Sequence, residues 1–326
     1  MATAEQAPGN RARLIARFGP TAGPWYDALP TLVATLADRW GLDVGEAGGG
    51  GTSRVYRCLR HAGGEGGGAA NGDAHGSADG AADGDADRYA DDAADGDEGS
   101  ATVWLKLTPD PVVAAQEAEA LDAWAGAPSV VRLLDSDLAA GALLLAGVEP
   151  GTRVREHGWP TADIARLLTD LRTAPRRRAP QARPLLLPPL SDRIAFMYDM
   201  AARRGAHAPE VLARGRAAAL ELAGSGPADG LVHGDLHPAN VLVGPGHRLV
   251  AIDPRPTLGD PDFDAADWAI DGVTDEPGLR RRIAELTPLV PGMSADRVLA
   301  WCRATAPLTT GAPGFLLTAG RASRKR

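Results

Sequence analysis

The sequence predicts an α+β protein in two lobes, a β-rich N-terminal lobe over residues 1–147 and a mainly α C-terminal lobe over 148–326. Three observations lead there. Short apolar runs broken by glycine and polar turns fill the first 148 residues, and amphipathic helical patterns take over beyond Pro150. The length of 326 residues corresponds to two ordinary domains or one large one.

In chain order, Leu29, Leu32, Val33, Leu36 and Trp40 recur at helical spacing and stop at Gly41, which predicts an amphipathic helix over 29–41. The glycine run Gly48–Gly51 then turns between two strands, the second being Arg54–Leu59. Ala101–Leu107 resumes as a strand, Pro111–Trp124 reads as a helix, and Val130–Leu134 and Ala142–Val148 as two more strands. Glu149–Gly151 marks the junction between the lobes. Helical patterns over Thr161–Leu171, Asp192–Arg203 and Glu210–Leu222 follow, interrupted by a proline-rich stretch around residues 175–190.

Between the strands lies a segment of different character. Residues 61–100 hold eleven of the acids and one base, Arg88, so this segment carries −10 and the rest of the chain +2, which together make the formal charge of −8. The same stretch has eleven Gly and eleven Ala and lacks Val, Ile, Leu, Met, Phe and Trp, so it cannot bury enough apolar surface to offset the entropy of ordering. A disordered, solvated insertion is expected. It shows neither a nonapeptide period nor EF-hand spacing, which argues against a calcium repeat. Its acidity, and the lack of a basic stripe elsewhere, argue against nucleic acid as a partner.

Other classes fall away on composition and motif. No run approaches the roughly 18 apolar residues of a membrane helix and no signal-type segment opens the chain, so a cytoplasmic protein without a membrane partner is expected. Cys58 and Cys302 are too few for a disulfide framework or a closed zinc site and are read as reduced thiols. GxxxxGK[ST], GxSxG and HExxH are absent from the sequence, which sets aside Walker ATPases, elbow hydrolases and zincins.

The most informative stretch is Leu231–Asp253, LVHGDLHPANVLVGPGHRLVAID. An apolar pair leads into His233-Gly234-Asp235, a polar loop runs to Asn240, and strands Val241–Val243 and Leu249–Ile252 flank a Gly-Pro-Gly turn before Asp253. A hairpin of this kind brings Asp235, Asn240 and Asp253 to neighbouring ends, and three oxygen-bearing side chains suit Mg²⁺. His233 and His237 lie four apart, but Pro238 and the loop context offer no common helical face for zinc; both are read as residues that orient the loop.

These residues resemble a known family. Asp-x4-Asn followed by thirteen residues to a second Asp is similar to the catalytic loop and metal-binding Asp of protein kinases. The HGDxHxxN form, with Gly234 where protein kinases carry arginine, resembles the aminoglycoside phosphotransferases. Within them, HGDLHPANVL and then AIDPRPTLGDPDFDAADW over 251–268 are similar to the streptomycin 6-kinase and hydroxyurea phosphotransferase group. The resemblance implies a bilobal protein-kinase-like fold using ATP and Mg²⁺ to phosphorylate a small hydroxylated acceptor, with a streptomycin-like aminoglycoside first and hydroxyurea or another metabolite second. A silent nucleotide-binding protein is the contrasting class, and the presence of the Lys, Asp and Asn speaks against it.

Residue by residue, the resemblance implies that Asp235 takes the proton of the acceptor hydroxyl, that Asn240 and Asp253 hold Mg²⁺, and that Lys106 contacts the α- and β-phosphates with a glutamate partner on the next helix. Val113, Glu117, Leu121 and Trp124 form one stripe of that helix, whereas Glu119 lies about 200° round from Glu117, so Glu117 is the expected partner. The turn with Gly50, Thr52 and Ser53 would cover the phosphates through backbone amides, and Ala146–Val148 would be the hinge meeting adenine, with ATP between the lobes. Gly234 in place of arginine implies no phosphorylated activation-loop switch.

Carboxylates crowd Gly259–Asp271. Asp264 is read as a cap of a helix beginning near Ala265, and Asp267 and Asp271 share a helical face. That face is either solvated or, with Asp264, part of an acidic cleft for a cationic acceptor, which Trp159 and Trp268 would help to line.

Overall fold

The computed structural model describes residues 8–48, 53–61, 100–157, 159–174, 185–309 and 311–318. They divide by packing into two compact units, Met1–Leu105 and Lys106–Arg326. The division falls upstream of the junction read from the sequence, and Lys106 at its edge is bonded to Glu117 and Asp253 within the second unit.

In the first unit, α1 (Pro8–Phe18) precedes α2 (Ala22–Trp40), and β1 (Leu42–Gly48) pairs antiparallel with β2 (Arg54–His61) from Leu42↔Arg60 to Gly48↔Val55. β3 (Ser100–Leu107) begins here, with Val103 and Leu105 buried. α2 starts seven residues before the expected Leu29 and carries Pro30 within it. A proline inside a helix costs about 3 kcal/mol or more; burial of Tyr26, Leu29, Val33, Leu36 and Trp40 along one stripe outweighs it. Gly41 stops the helix as expected, left-handed at φ 62° with its N–H on the Ala37 carbonyl. α1, which the sequence reading did not mark, is tied to α2 by the Arg11 fork on Asp27, 2.9 Å at each contact. Apart from His61 and Ser100, the expected disordered insertion lies outside the described residues, as do Gly50 and Thr52.

In the second unit, Asp110 caps α3 (Pro111–Ala123) by accepting the Val112 N–H at 3.0 Å. β4 (Leu133–Asp137) and β5 (Ala142–Ala146) form a hairpin. The expected strand at Val130–Leu134 is displaced toward its C-terminal end, because Val130 and Val131 pair with Ala251 instead. β5 likewise ends two residues before Val148. Then come β6 (Thr152–Arg153), α4 (Val154–His157), α5 (Thr161–Thr173), α6 (Leu190–Arg203) and α7 (Pro209–Ser225). β7 (Gly230–Val232), β8 (Val241–Val243), β9 (Leu249–Ala251) and β10 (Thr257–Gly259) make two small sheets, β6-β8-β9 and β10-β7. α8 (Ala266–Ile270), α9 (Glu276–Leu286), α10 (Ala295–Thr305) and α11 (Gly314–Thr318) complete the described chain.

Leu167, Leu168, Tyr198, Trp268 and Trp301 lie in the core of this unit. Asp260 is buried there and accepts from Arg297 Nε at 2.7 Å and Trp301 Nε1 at 2.8 Å, joining the chain after β10 to α10. No described helix is long and apolar enough to cross a membrane.

Candidate active site

The loop leaving β7 is fixed before any of its side chains acts. His233 accepts the Arg255 N–H at 2.8 Å, and Ile252 N–H bonds the Asn240 carbonyl at 2.9 Å, so both ends of the loop are pinned to the strand that delivers Asp253. Gly234 has φ +75°, and a Cβ there would lie 2.2 Å from the Arg255 carbonyl oxygen, so only glycine fits. Asp264 accepts His233 N–H at 2.7 Å on one oxygen and Gly234 N–H at 3.0 Å on the other.

Asp264 is therefore a loop anchor and not the cap read from the sequence: α8 has no side-chain cap, and Asp260 caps the short 3-10 turn Pro261–Ala265 before it, through the Asp262 N–H at 3.0 Å. Both Asp264 oxygens are engaged by the loop. Burial pushes its carboxyl up to about 7, against the pull of the two amides. Burial also lowers His233 to about 4, so its ring is neutral, with Nε2 3.2 Å from the Ile252 carbonyl and Nδ1 3.4 Å from the Asp235 N–H.

Asp235 follows directly. Its Oδ1 accepts from Arg193 Nη2 at 2.7 Å and its Oδ2 from Asn240 Nδ2 at 3.2 Å, while Asn240 Nδ2 also reaches the Asp235 carbonyl at 3.0 Å. His237 Nδ1 is occupied by the Ala239 N–H at 3.2 Å, and Nε2 stands 3.9 Å from Asp235 Oδ2. Arg193 went unmarked in the sequence, where it is one more charged residue on an amphipathic helix. The available signal was its place beside Ile194 at the edge of the apolar stripe of α6.

A second cluster surrounds Lys106. Its Nζ lies 2.6 Å from each Glu117 oxygen and 2.6 Å from Asp253 Oδ1. Glu119 points elsewhere and accepts the Leu186 N–H at 2.9 Å. Burial raises the Glu117 carboxyl, with Lys106 opposing. Burial would raise Asp253 as well, but Lys106 and Arg255 outweigh it and hold the carboxyl at about 2. Asp253 takes the left-handed conformation, φ 55°, uncommon for a non-glycine residue.

The donor set fits magnesium. Mg²⁺ takes one or two protein oxygens and completes its shell with water and phosphate. Asp253 is ionised, and Asn240, with Nδ2 spent on Asp235, offers Oδ1. Among the described residues no group of three His, Cys, Asp or Glu gathers as a metal site. Of the other candidates, Ser53 is buried at the start of β2 and Val148 is half-buried between β5 and β6.

Asp235 opens on a cavity of about 290 Å³ whose wall includes His237, Asp264, Asp267, Asp271 and Thr309. Asp267 accepts the Thr309 hydroxyl at 3.2 Å, and burial raises its carboxyl, with His237 opposing. Asp271 is exposed. Trp268 does not line the cavity. It is fully buried, edge-on to Trp159 at 5.2 Å, and Arg282 covers Trp159 at 5.0 Å, so the pair serves packing.

Residues 94–311 match the family model described as aminoglycoside/hydroxyurea antibiotic resistance kinase. The chain is 30% identical over 304 residues to a hydroxyurea phosphotransferase of Kitasatospora aureofaciens, covering 91% of this chain and 76% of that protein. It is 29% identical over 299 residues to a streptomycin 6-kinase of Streptomyces glaucescens, covering 87% and 82%. Among solved structures, the choline kinase LicA from Streptococcus pneumoniae aligns with a TM-score of 0.55 at 13% identity, covering 92% of this chain and 94% of that one. A macrolide 2′-phosphotransferase type I aligns with a TM-score of 0.50 at 16% identity, covering 86% and 91%. The fold is the protein-kinase-like one expected from the sequence.

Proposed function

This chain belongs to the aminoglycoside/hydroxyurea antibiotic resistance kinase family, and on that premise we propose that it transfers the γ-phosphoryl group of Mg·ATP to a hydroxyl of a small cationic acceptor of the streptomycin type. The observation that carries this reading is the opening of Asp235 onto a cavity of about 290 Å³ that Asp267 and Asp271 also border.

Asp235 accepts the hydroxyl proton of the acceptor through a carboxylate already oriented by Arg193 and Asn240, a role worth about 10²–10⁴ in rate. Lys106, aligned by Glu117, would meet the phosphates, and Asn240 and Asp253 would hold Mg²⁺, which would supply positive charge against the negative charge that develops in phosphoryl transfer. The cavity wall supports a cationic guest because a carboxyl raised by desolvation, as that of the half-buried Asp267 is, gains from a positive charge beside it.

A neutral acceptor such as hydroxyurea is the second reading, favoured by the 30% identity to a hydroxyurea phosphotransferase. ADP release from Mg·ATP against streptomycin, other aminoglycosides and hydroxyurea separates the two, with Asp235→Asn as control. Acceptor-dependent turnover with an aminoglycoside, falling about 10²–10⁴-fold in the variant, is expected. Turnover with hydroxyurea alone replaces the acceptor class; ATP binding without turnover on any acceptor sinks the reading.

A further inference from the structure

We propose that Arg193 is a positioning residue for phosphoryl transfer, clamping the loop backbone and the Asp235 carboxylate in one grip. The inference rests on the phosphotransfer reading above. Arg193 Nε donates to the Gly234 carbonyl at 2.9 Å and Nη2 to Asp235 Oδ1 at 2.7 Å. A planar guanidinium that meets a carbonyl and the next residue's carboxylate together fixes both the peptide and the side chain that follows it.

The fold delivers the arginine to this place. Pro189, just before α6, bridges to Leu258 of β10, and Leu258 N–H bonds the Pro188 carbonyl at 2.9 Å. β10 pairs with β7, Thr257 opposite Val232, so the first turn of α6 lies beside the loop that leaves β7. The approach is close enough that a Cβ on Gly259 would sit 2.6 Å from Leu190 Cβ. Arg193 follows Leu190 by three residues, and its side chain is only 12% exposed. Burial of a guanidinium is unfavourable, and it lowers the Arg193 pKa with Asp235 as the main opposing charge. A cation kept there against that cost, with Phe196 5.9 Å from its carbon, is held for its contacts on the loop.

The positioning role predicts a particular pattern. Asp235 keeps its bond from Asn240 when Arg193 is removed, so the loop stays folded but the carboxylate loses one of its two guides. A misplacement of about 1 Å at a reacting group costs on the order of 10²-fold in rate. The loss therefore falls on kcat while KM for ATP and for the acceptor stays within about threefold, since neither is bound through Arg193.

The test compares Arg193→Ala and Arg193→Lys with the unaltered chain, each alone and combined with Asp235→Asn, under the acceptor found above. Expected are a kcat loss of about 10²-fold for Arg193→Ala, a smaller loss for Arg193→Lys, and a severalfold recovery of Arg193→Ala on adding guanidinium chloride at millimolar concentration. On the Asp235→Asn background, Arg193→Ala should cost little more, because its effect passes through the carboxylate. Full kcat in Arg193→Ala, a loss confined to KM, or additive losses in the double variant would each overturn the proposal. If the unaltered chain turns over no acceptor, the phosphotransfer reading fails instead, and amide exchange across residues 233–240 still reads the clamp. Faster exchange in Arg193→Ala than in Arg193→Lys is expected, and equal exchange removes it.

Discussion

Asp253 and Asp264 stand on two sides of one loop, and their carboxyl pKa values shift in opposite directions. Asp253 is held at about 2, and Asp264 is pushed up to about 7. Burial acts in the same direction on each, so it does not decide the outcome. What differs is the partner. Lys106 and Arg255 touch Asp253 at 2.6 and 3.3 Å, whereas Asp264 is met by two backbone amides. A cation at contact distance outweighs desolvation and neutral dipoles do not. One side of the loop thus keeps a fixed negative charge suited to a metal, and the other uses a carboxyl as a hydrogen-bonding anchor.

Removing the cation is the hardest blow to that contrast. Lys106→Met leaves Glu117, 1% exposed, without its counter-charge and takes the nearest cation from Asp253. Breaking a buried pair from one side costs about 3–5 kcal/mol, which urea unfolding should show as a lower midpoint at unchanged slope. A loss under about 1 kcal/mol would mean that solvent or Arg255 already compensates these carboxylates.

The two sides also differ in how far the sequence disclosed them. Asp235, Asn240 and Asp253 were legible because a single hairpin, β8 to β9, sets their spacing, and Glu117 was legible because helical periodicity separates it from Glu119. Arg193, Asp264 and Asp260 were not, because each acts on a partner 30 or more residues away in the chain, Arg193 on Asp235 at 42 and Asp260 on Trp301 at 41. No local period carries such a pairing. The same holds for Pro30, where local propensity argues against a helix that buried neighbours enforce, and for Val130, drawn out of its expected strand by Ala251.

Asp264→Asn sharpens the comparison from the other side. An amide keeps one accepting oxygen but turns a donor toward one of the two loop N–H groups, at a cost of about 1–3 kcal/mol. It also removes a titration. The Asp264 pKa rises on folding from 3.8 to about 7, so between those values the native state holds a proton that the unfolded chain has lost, and its contribution to stability falls as pH rises. His233 works the other way: its pKa falls on folding from 6.5 to about 4, and its contribution rises over that range. The unaltered chain sums the two. Asp264→Asn should leave the His233 contribution unopposed, so that stability climbs more steeply from pH 4 to 6.5, by up to about 1.4 kcal/mol per pH unit. Parallel curves for the two proteins would show that Asp264 does not titrate there.

Asp271 gives the smallest effect on the fold and the narrowest test of what the cavity receives. Its side chain is exposed, and nothing in the core depends on its charge, so Asp271→Asn should change stability by no more than about 0.5 kcal/mol. A charge that contributes nothing to folding is available for a guest. An exposed ion pair is worth about 0.2–1 kcal/mol, so KM for a cationic acceptor should rise by up to about fivefold while kcat and KM for ATP stay put. Salt supplies the internal check, because a contact of this kind weakens as the Debye length shrinks from about 10 Å at 0.1 M toward about 3 Å at 1 M. The KM of the unaltered chain should therefore approach that of the variant at high ionic strength. With a neutral acceptor neither the substitution nor the salt should move KM. A salt-independent gap between the two proteins would assign Asp271 to the shape of the cavity and leave Asp267, already inside it, as the carboxylate that meets the cation.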